Sequence, residues 1–106
     1  MNILYDSMVK HVVMWKLDST NNEDKLDKMS EMENMLLELA DSIEDVVTLE
    51  VGRNFNGGDA AYDLVLITTH TSRDSLNQYQ EHPDHVKVAS HIKSLVQKRT
   101  VVDFEI

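Results

Sequence analysis

The sequence contains no cysteine, which removes disulfide frameworks, thiolate nucleophiles and Cys-ligated zinc or iron–sulfur sites. Such a chain fits a reducing cytoplasm. Bases are scarce: 10 Lys and Arg stand against 19 Asp and Glu, a formal net charge of −9. That balance repels nucleic acid and anionic membrane surfaces, so neither is expected as a partner. Long apolar runs are missing as well, the longest being of the size of Leu64-Val65-Leu66-Ile67. A membrane-spanning helix needs roughly 20 apolar residues, so the chain reads as soluble. The first residues, Met1-Asn2-Ile3-Leu4-Tyr5-Asp6-Ser7, lack the basic start and small-residue cleavage site of an export signal. Residues 1–7 are read as a short extension without function, and residues 8–106 as a single domain.

What is present is a regular alternation of periods. From Val9 to Leu17 one parity carries Val9, His11, Val13, Trp15 and Leu17, the other Lys10, Val12, Met14 and Lys16. This is a strand, apolar on one face and half apolar on the other. The cluster Asp18-Ser19-Thr20-Asn21-Asn22 ends it, because such side chains bond back to local backbone and favour turns and caps. From about Asn22 to Ile43, Leu26, Met29, Met32, Leu36, Leu39 and Ile43 recur at spacings of three and four, with Met35 and Ala40 widening the stripe. The spacing predicts an amphipathic helix of about six turns. Between Asp18 and Asp45 lie ten acids and only two bases, so nearly all of the net charge falls on this helix and its flanks. Those acids read as a solvated outer face.

Two strands follow, Val46 to Asn54 and Ala61 to His70, joined through Phe55-Asn56-Gly57-Gly58-Asp59, a turn signal longer than two residues. Ser72 can cap a short helix with Leu76 and Tyr79 on one face. Pro83, the single proline of the chain, interrupts it and pushes His82 out of the α region. A second helical segment restarts near Asp84 with Val88, Ala89, Ile92, Leu95 and Val96 on its stripe. The last strand runs from Arg99 to Ile106 and places Val102, Phe104 and Ile106 together. The order strand, helix, strand, strand, helix pair, strand is the α+β, ferredoxin-like βαββαβ pattern: helices on one face of a four-stranded antiparallel sheet.

A sheet wetted on its second side should alternate cleanly with polar residues. Here Val65 and Ile67 stand opposite Leu64 and Leu66, and Val12 and Met14 opposite Val13 and Trp15. The second face is therefore expected to meet another copy of the chain, two sheets closing on each other in a homodimer.

Two histidine placements bear on function. His11 shares its apolar face with Trp15, as a core residue with a satisfied hydrogen bond or as part of a site. In Tyr79-Gln80-Glu81-His82-Pro83-Asp84-His85, His85 falls on the same stripe as Val88, Ala89 and Ile92 and so points inward, as does Tyr79. If His11, Tyr79 and His85 converge, an imidazole sits beside a phenol in an apolar cavity. Such a pair suits proton abstraction next to a carbonyl or aldol-type ring closure, with no cofactor. In the bland alternative the histidines cap and bridge the break at Pro83. Trp15 and His82 are the candidates to line a ligand site. No metal is expected, since Pro83 spoils the single helical face that a His82–His85 pair would need. Gly57-Gly58 lacks the further glycines or lysine of a phosphate-binding loop.

The strand-one segment Met8-Val9-Lys10-His11-Val12-Val13-Met14-Trp15-Lys16-Leu17, the segment Leu49-Glu50-Val51-Gly52-Arg53-Asn54 with Ala61-Tyr62-Asp63-Leu64-Val65-Leu66, Tyr79-x-x-His82-Pro83-x-His85, and Val101-Val102-Asp103-Phe104 together resemble the stress-responsive α/β-barrel (Dabb) domain family. The resemblance implies a dimeric α+β barrel of two ferredoxin-like protomers, and leaves the physiological role open. Most members have no established reaction. One plant branch acts as a polyketide cyclase, and its catalytic tyrosine and histidine correspond to Tyr79 and His85; its strand-one histidine corresponds to His11. The resemblance thus implies either a small-ligand-binding homodimer or a cofactor-free lyase with His85 as general base beside Tyr79. A heme-degrading group shares the fold, but no motif here supports heme.

Overall fold

A computed structural model describes residues 8–106, so the extension assigned to residues 1–7 lies outside the described residues. The elements are β1 (Val9–Leu17), α1 (Asn22–Ser42), β2 (Thr48–Arg53), β3 (Leu64–His70), α2 (Arg73–Glu81), α3 (Pro83–Lys93) and β4 (Val96–Glu105). The strands form one sheet in the order β2-β3-β1-β4, every neighbouring pair antiparallel. This is the ferredoxin-like α+β fold that the pattern of periods predicts.

The helices start where side chains supply the missing acceptors. Asn21 takes the amide of Asp24 at 2.8 Å to open α1, and Ser72 takes that of Ser75 at 3.0 Å to open α2. At the break, His82 is extended (φ −59°, ψ 134°) and its Nδ1 accepts the amide of Asp84 at 3.0 Å. Pro83 occupies the first turn of α3, where its missing N–H costs nothing. The proline therefore ends one helix and begins the next.

The inner face of the sheet carries Val9, His11, Val13, Trp15 and Leu17 from β1 and Leu64, Leu66, Thr68 and His70 from β3, all buried. The register sets Val9 opposite His70, His11 opposite Thr68, Val13 opposite Leu66 and Trp15 opposite Leu64. Met29, Met32, Leu36, Leu39 and Ile43 of the α1 region close over this face with Leu76, Tyr79 and Ile92. Leu26, expected on the same stripe, is 43% exposed and lies beside the β2–β3 loop, and Ala40 is exposed as well. Glu23, Asp27, Glu31, Glu38, Asp41 and Glu44 are exposed, so the acidic side of α1 faces solvent.

Strand boundaries differ from the sequence reading. The hairpin strands are shorter than predicted; beyond their ends the Asn54 N–H still pairs with the Asp63 carbonyl (2.9 Å), while the Asp63 carboxylate takes the Leu17 amide (2.8 Å). Within the loop, Asn54 and Asn56 side chains accept the amides of Asn56 and Gly58 and hold the turn in place of a tight hairpin. In the other direction, β4 begins at Val96 rather than Arg99. Ser94 caps α3 and the chain passes directly into pairing with β1, with an irregularity opposite Lys16 and Leu17. Among the described residues, no helix is long and apolar enough to cross a membrane.

Met32 is fully buried at the centre of the α1 contact. Met32→Ala should destabilise the domain by about 2–5 kcal/mol, the usual cost of emptying a buried site. Urea unfolding is the measurement, read as a lower midpoint at unchanged slope.

Candidate functional site

Tyr79 stands on the inward face of α2, one turn from Leu76, and is 0% exposed. Three imidazoles surround its ring. The centroid of His85 lies 4.5 Å away, that of His70 4.9 Å and that of His11 6.2 Å. The sequence candidates His11, Tyr79 and His85 are thus brought together. His70 joins them as a fourth member that the sequence reading did not single out. Its signal was present, because it shares the parity of Leu64, Leu66 and Thr68 on a buried strand face.

Each histidine is oriented through Nδ1. In His70 that nitrogen donates to the Asp45 carbonyl at 2.7 Å, so in the neutral ring Nε2 accepts from the Thr68 hydroxyl at 2.8 Å. Both of its nitrogens are occupied. In His85 the Nδ1–H donates to the Gln80 carbonyl at 3.0 Å, which leaves Nε2 as the basic nitrogen of the neutral ring. His11 is paired through Nδ1 with Asp103 at 2.5 Å, a contact between β1 and β4 that the sequence reading also missed. By contrast, the Tyr79 hydroxyl is buried with no hydrogen-bond partner among the described residues.

Burial sets the protonation of this cluster. Desolvation lowers the His85 pKa from its usual 6.5; the Gln80 hydrogen bond opposes that shift, and the nearby charges of His11, Arg99 and His70 reinforce it. His70 is lowered in the same way, chiefly by burial. Burial pushes the Tyr79 phenol up to about 12. At neutral pH the site therefore holds neutral imidazoles at His85 and His70 beside a phenol that keeps its proton.

A cavity of about 570 Å³ opens between the helices and the sheet at this cluster. Its walls include His11, Trp15, Leu36, Tyr79, His85 and Arg99. Trp15 is among the residues of this wall. His82 does not line this cavity; it is the cap of α3, partly exposed, with its Nδ1 engaged by the Asp84 amide. Among the described residues, no group of three or more His, Asp or Glu side chains is arranged to hold a metal ion.

The ferredoxin-like α+β fold places the chain in a known class. The chain belongs to the stress responsive A/B barrel domain family, whose model matches residues 9–106. It is 33% identical over 103 residues to the stress-response A/B barrel domain-containing protein DABB1 of Arabidopsis thaliana, covering 92% of this chain and 47% of that protein. The chain thus spans about half the length of that curated relative. A dimeric protein of unknown function and ferredoxin-like fold from Bacteroides fragilis superposes with a TM-score of 0.85 at 30% identity, over 96% of this chain and 99% of the other. A dimeric ferredoxin-like protein of unknown function from Thermobifida fusca gives 0.80 at 21%, over 99% and 97%.

The depressed histidines make stability depend on pH with a definite sign. Below 6.5 the unfolded chain binds protons that folded His85 and His70 resist, so stability falls as pH drops through that value. Melting temperature should therefore decline between pH 7 and 5. NMR titration of the two imidazoles should give midpoints below 6.5.

Proposed function

We propose that the protein works as a homodimer in which each protomer holds one small, largely apolar or aromatic molecule in the cavity beside Tyr79 and His85. The observation that carries this reading is the Tyr79 hydroxyl, buried at the cavity wall without a hydrogen-bond partner among the described residues. Leaving a buried hydroxyl unpaired costs about 1–3 kcal/mol, and a ligand oxygen accepting from it removes that cost. The size of the cavity suits a small organic molecule. Its cysteine-free composition fits work in the cytoplasm.

The dimer is supported by the outer face of the sheet. There Val12 stands between Ile67 and Val102, Met14 beside Val65, and Phe104 next to Lys10. Val102 is 55% and Phe104 44% exposed in the single chain, a contiguous apolar strip of the kind that marks an interface. The structurally similar protein from Bacteroides fragilis is dimeric, which supports a homodimer here.

A second reading, a cofactor-free lyase or cyclase, is favoured by one specific feature. His85 presents Nε2 as the basic nitrogen of a neutral ring, whose centroid lies 4.5 Å from that of a phenol that can donate. The imidazole would take a proton from the carbon next to a carbonyl. The Tyr79 hydroxyl would hold the carbonyl oxygen as charge develops on it.

Thermal-shift screening of small aromatic and polyketide-like molecules tests the binding reading. Hits should raise the melting temperature of the wild type, and Tyr79→Phe should weaken them about fivefold, the worth of one hydrogen bond. Hits whose affinity is unchanged in Tyr79→Phe and His85→Ala would place binding elsewhere. Turnover of a hit that disappears in both variants supports the lyase reading; turnover that survives in both removes it.

Sedimentation equilibrium tests the assembly. The wild type should have twice the chain mass and Ile67→Glu the mass of one chain, because a buried unpaired carboxylate on the sheet face is costly. A monomeric wild type would overturn the dimer.

A further inference from the structure

The cavity wall has a charge composition unlike that of the chain. Acids outnumber bases 19 to 10 in the sequence, yet the sixteen residues lining the cavity include Lys93, Lys98 and Arg99 and no Asp or Glu. Lys93 is the last residue of α3 and Arg99 lies near the start of β4, so these two cations reach the cavity from two elements, while Lys98, opposite Lys16, falls on the other parity of β4. Arg99 pairs with Trp15 across β1 and β4, which sets its side chain on the inner face of the sheet with Trp15 and Val13. All three cations are exposed. Among the described residues none of them takes part in an ion pair, whereas Lys25, Lys28, Arg53 and Arg73 each hold a carboxylate.

A cationic rim without counter-charges, above a wall of Trp15, Leu36, Leu39, Leu66, Val88 and Ile92, is complementary to a molecule with an apolar body and an anionic end. We propose that the ligand of this cavity is an organic acid, an aromatic or apolar body whose carboxylate rests at the rim between Lys93 and Arg99. The apolar body then fills the space toward Tyr79 and His85. This rests on the binding reading above and adds the chemical class of the ligand to it. The rim also sets access: on a chain of net negative charge it is a local positive patch, so an acid is drawn to this opening and repelled by the acidic outer side of α1.

The test uses two probes of one shape, 2-naphthoate and 2-naphthamide, at pH 7.5, each competing with the neutral fluorophore N-phenyl-1-naphthylamine. The fluorophore reports occupancy of the cavity itself, and Ala89→Trp, at the cavity wall, should weaken it. Naphthoate should displace the fluorophore about fivefold more effectively than naphthamide, the combined effect of two exposed ion pairs. That ratio should shrink in 0.5 M salt and fall to about one in Lys93→Gln/Arg99→Gln. If the fluorophore binds and the two competitors are equal, or if the double variant keeps the ratio, the acid proposal is overturned while the binding reading stands. If the fluorophore does not bind, or binds Ala89→Trp as well as the wild type, the cavity is not a ligand site and the binding reading itself falls.

Discussion

The antiparallel register between β1 and β3 is the constraint on which the rest of the structure depends. With Val9 opposite His70 and Trp15 opposite Leu64, all odd residues of β1 and all even residues of β3 share one face. A slip of one residue would exchange the two faces entirely. It would carry His11 and Trp15 to the outer side and put Lys10 and Lys16 under the helices. Because β1 is hydrogen-bonded on both sides, the same register passes to β4 and brings Asp103 against His11. The core, the histidine cluster and the composition of the outer face all follow from it.

Along that inner face the character changes. The Trp15 and Leu64 end is apolar, while the His70 and His11 end carries imidazoles that must find partners because burial removes water. His70 finds two, in the Asp45 carbonyl and the Thr68 hydroxyl. His85 spends one nitrogen on Gln80 and keeps the other. Tyr79 finds none. The order of satisfaction separates the roles: His70 is held on both nitrogens and positions the cluster, and the residues with unspent capacity are those at the cavity.

Much of this was legible in the sequence, and the reason is locality. Periods of two and of three to four place His11, Trp15, Tyr79 and His85 on inward faces without any knowledge of what lies opposite. The apolar outer parity of β1 and β3 shows in the same way. What needed the folded chain was the pairing of distant segments. Asp103 reaches His11 only through the β1–β4 register, and the Asp45 carbonyl reaches His70 across 25 residues. The onset of β4 was hidden because Val96 continues the helical stripe of α3 while pairing with Leu17. His82 illustrates the opposite case. Its neighbour Pro83 makes it a cap, and the local backbone claims the imidazole before any ligand can.

The break at Pro83 has a consequence for the geometry of the pair it separates. In one unbroken helix, positions 79 and 85 would be six residues apart, and at about 100° per residue their side chains would diverge by about 120° around the axis. They could not share a cavity. The extended backbone at His82 resets the direction of the chain, and the rings of Tyr79 and His85 meet at 4.5 Å. The single proline of the sequence thus works as a change of helical phase, turning two residues that a straight helix would hold apart into neighbours.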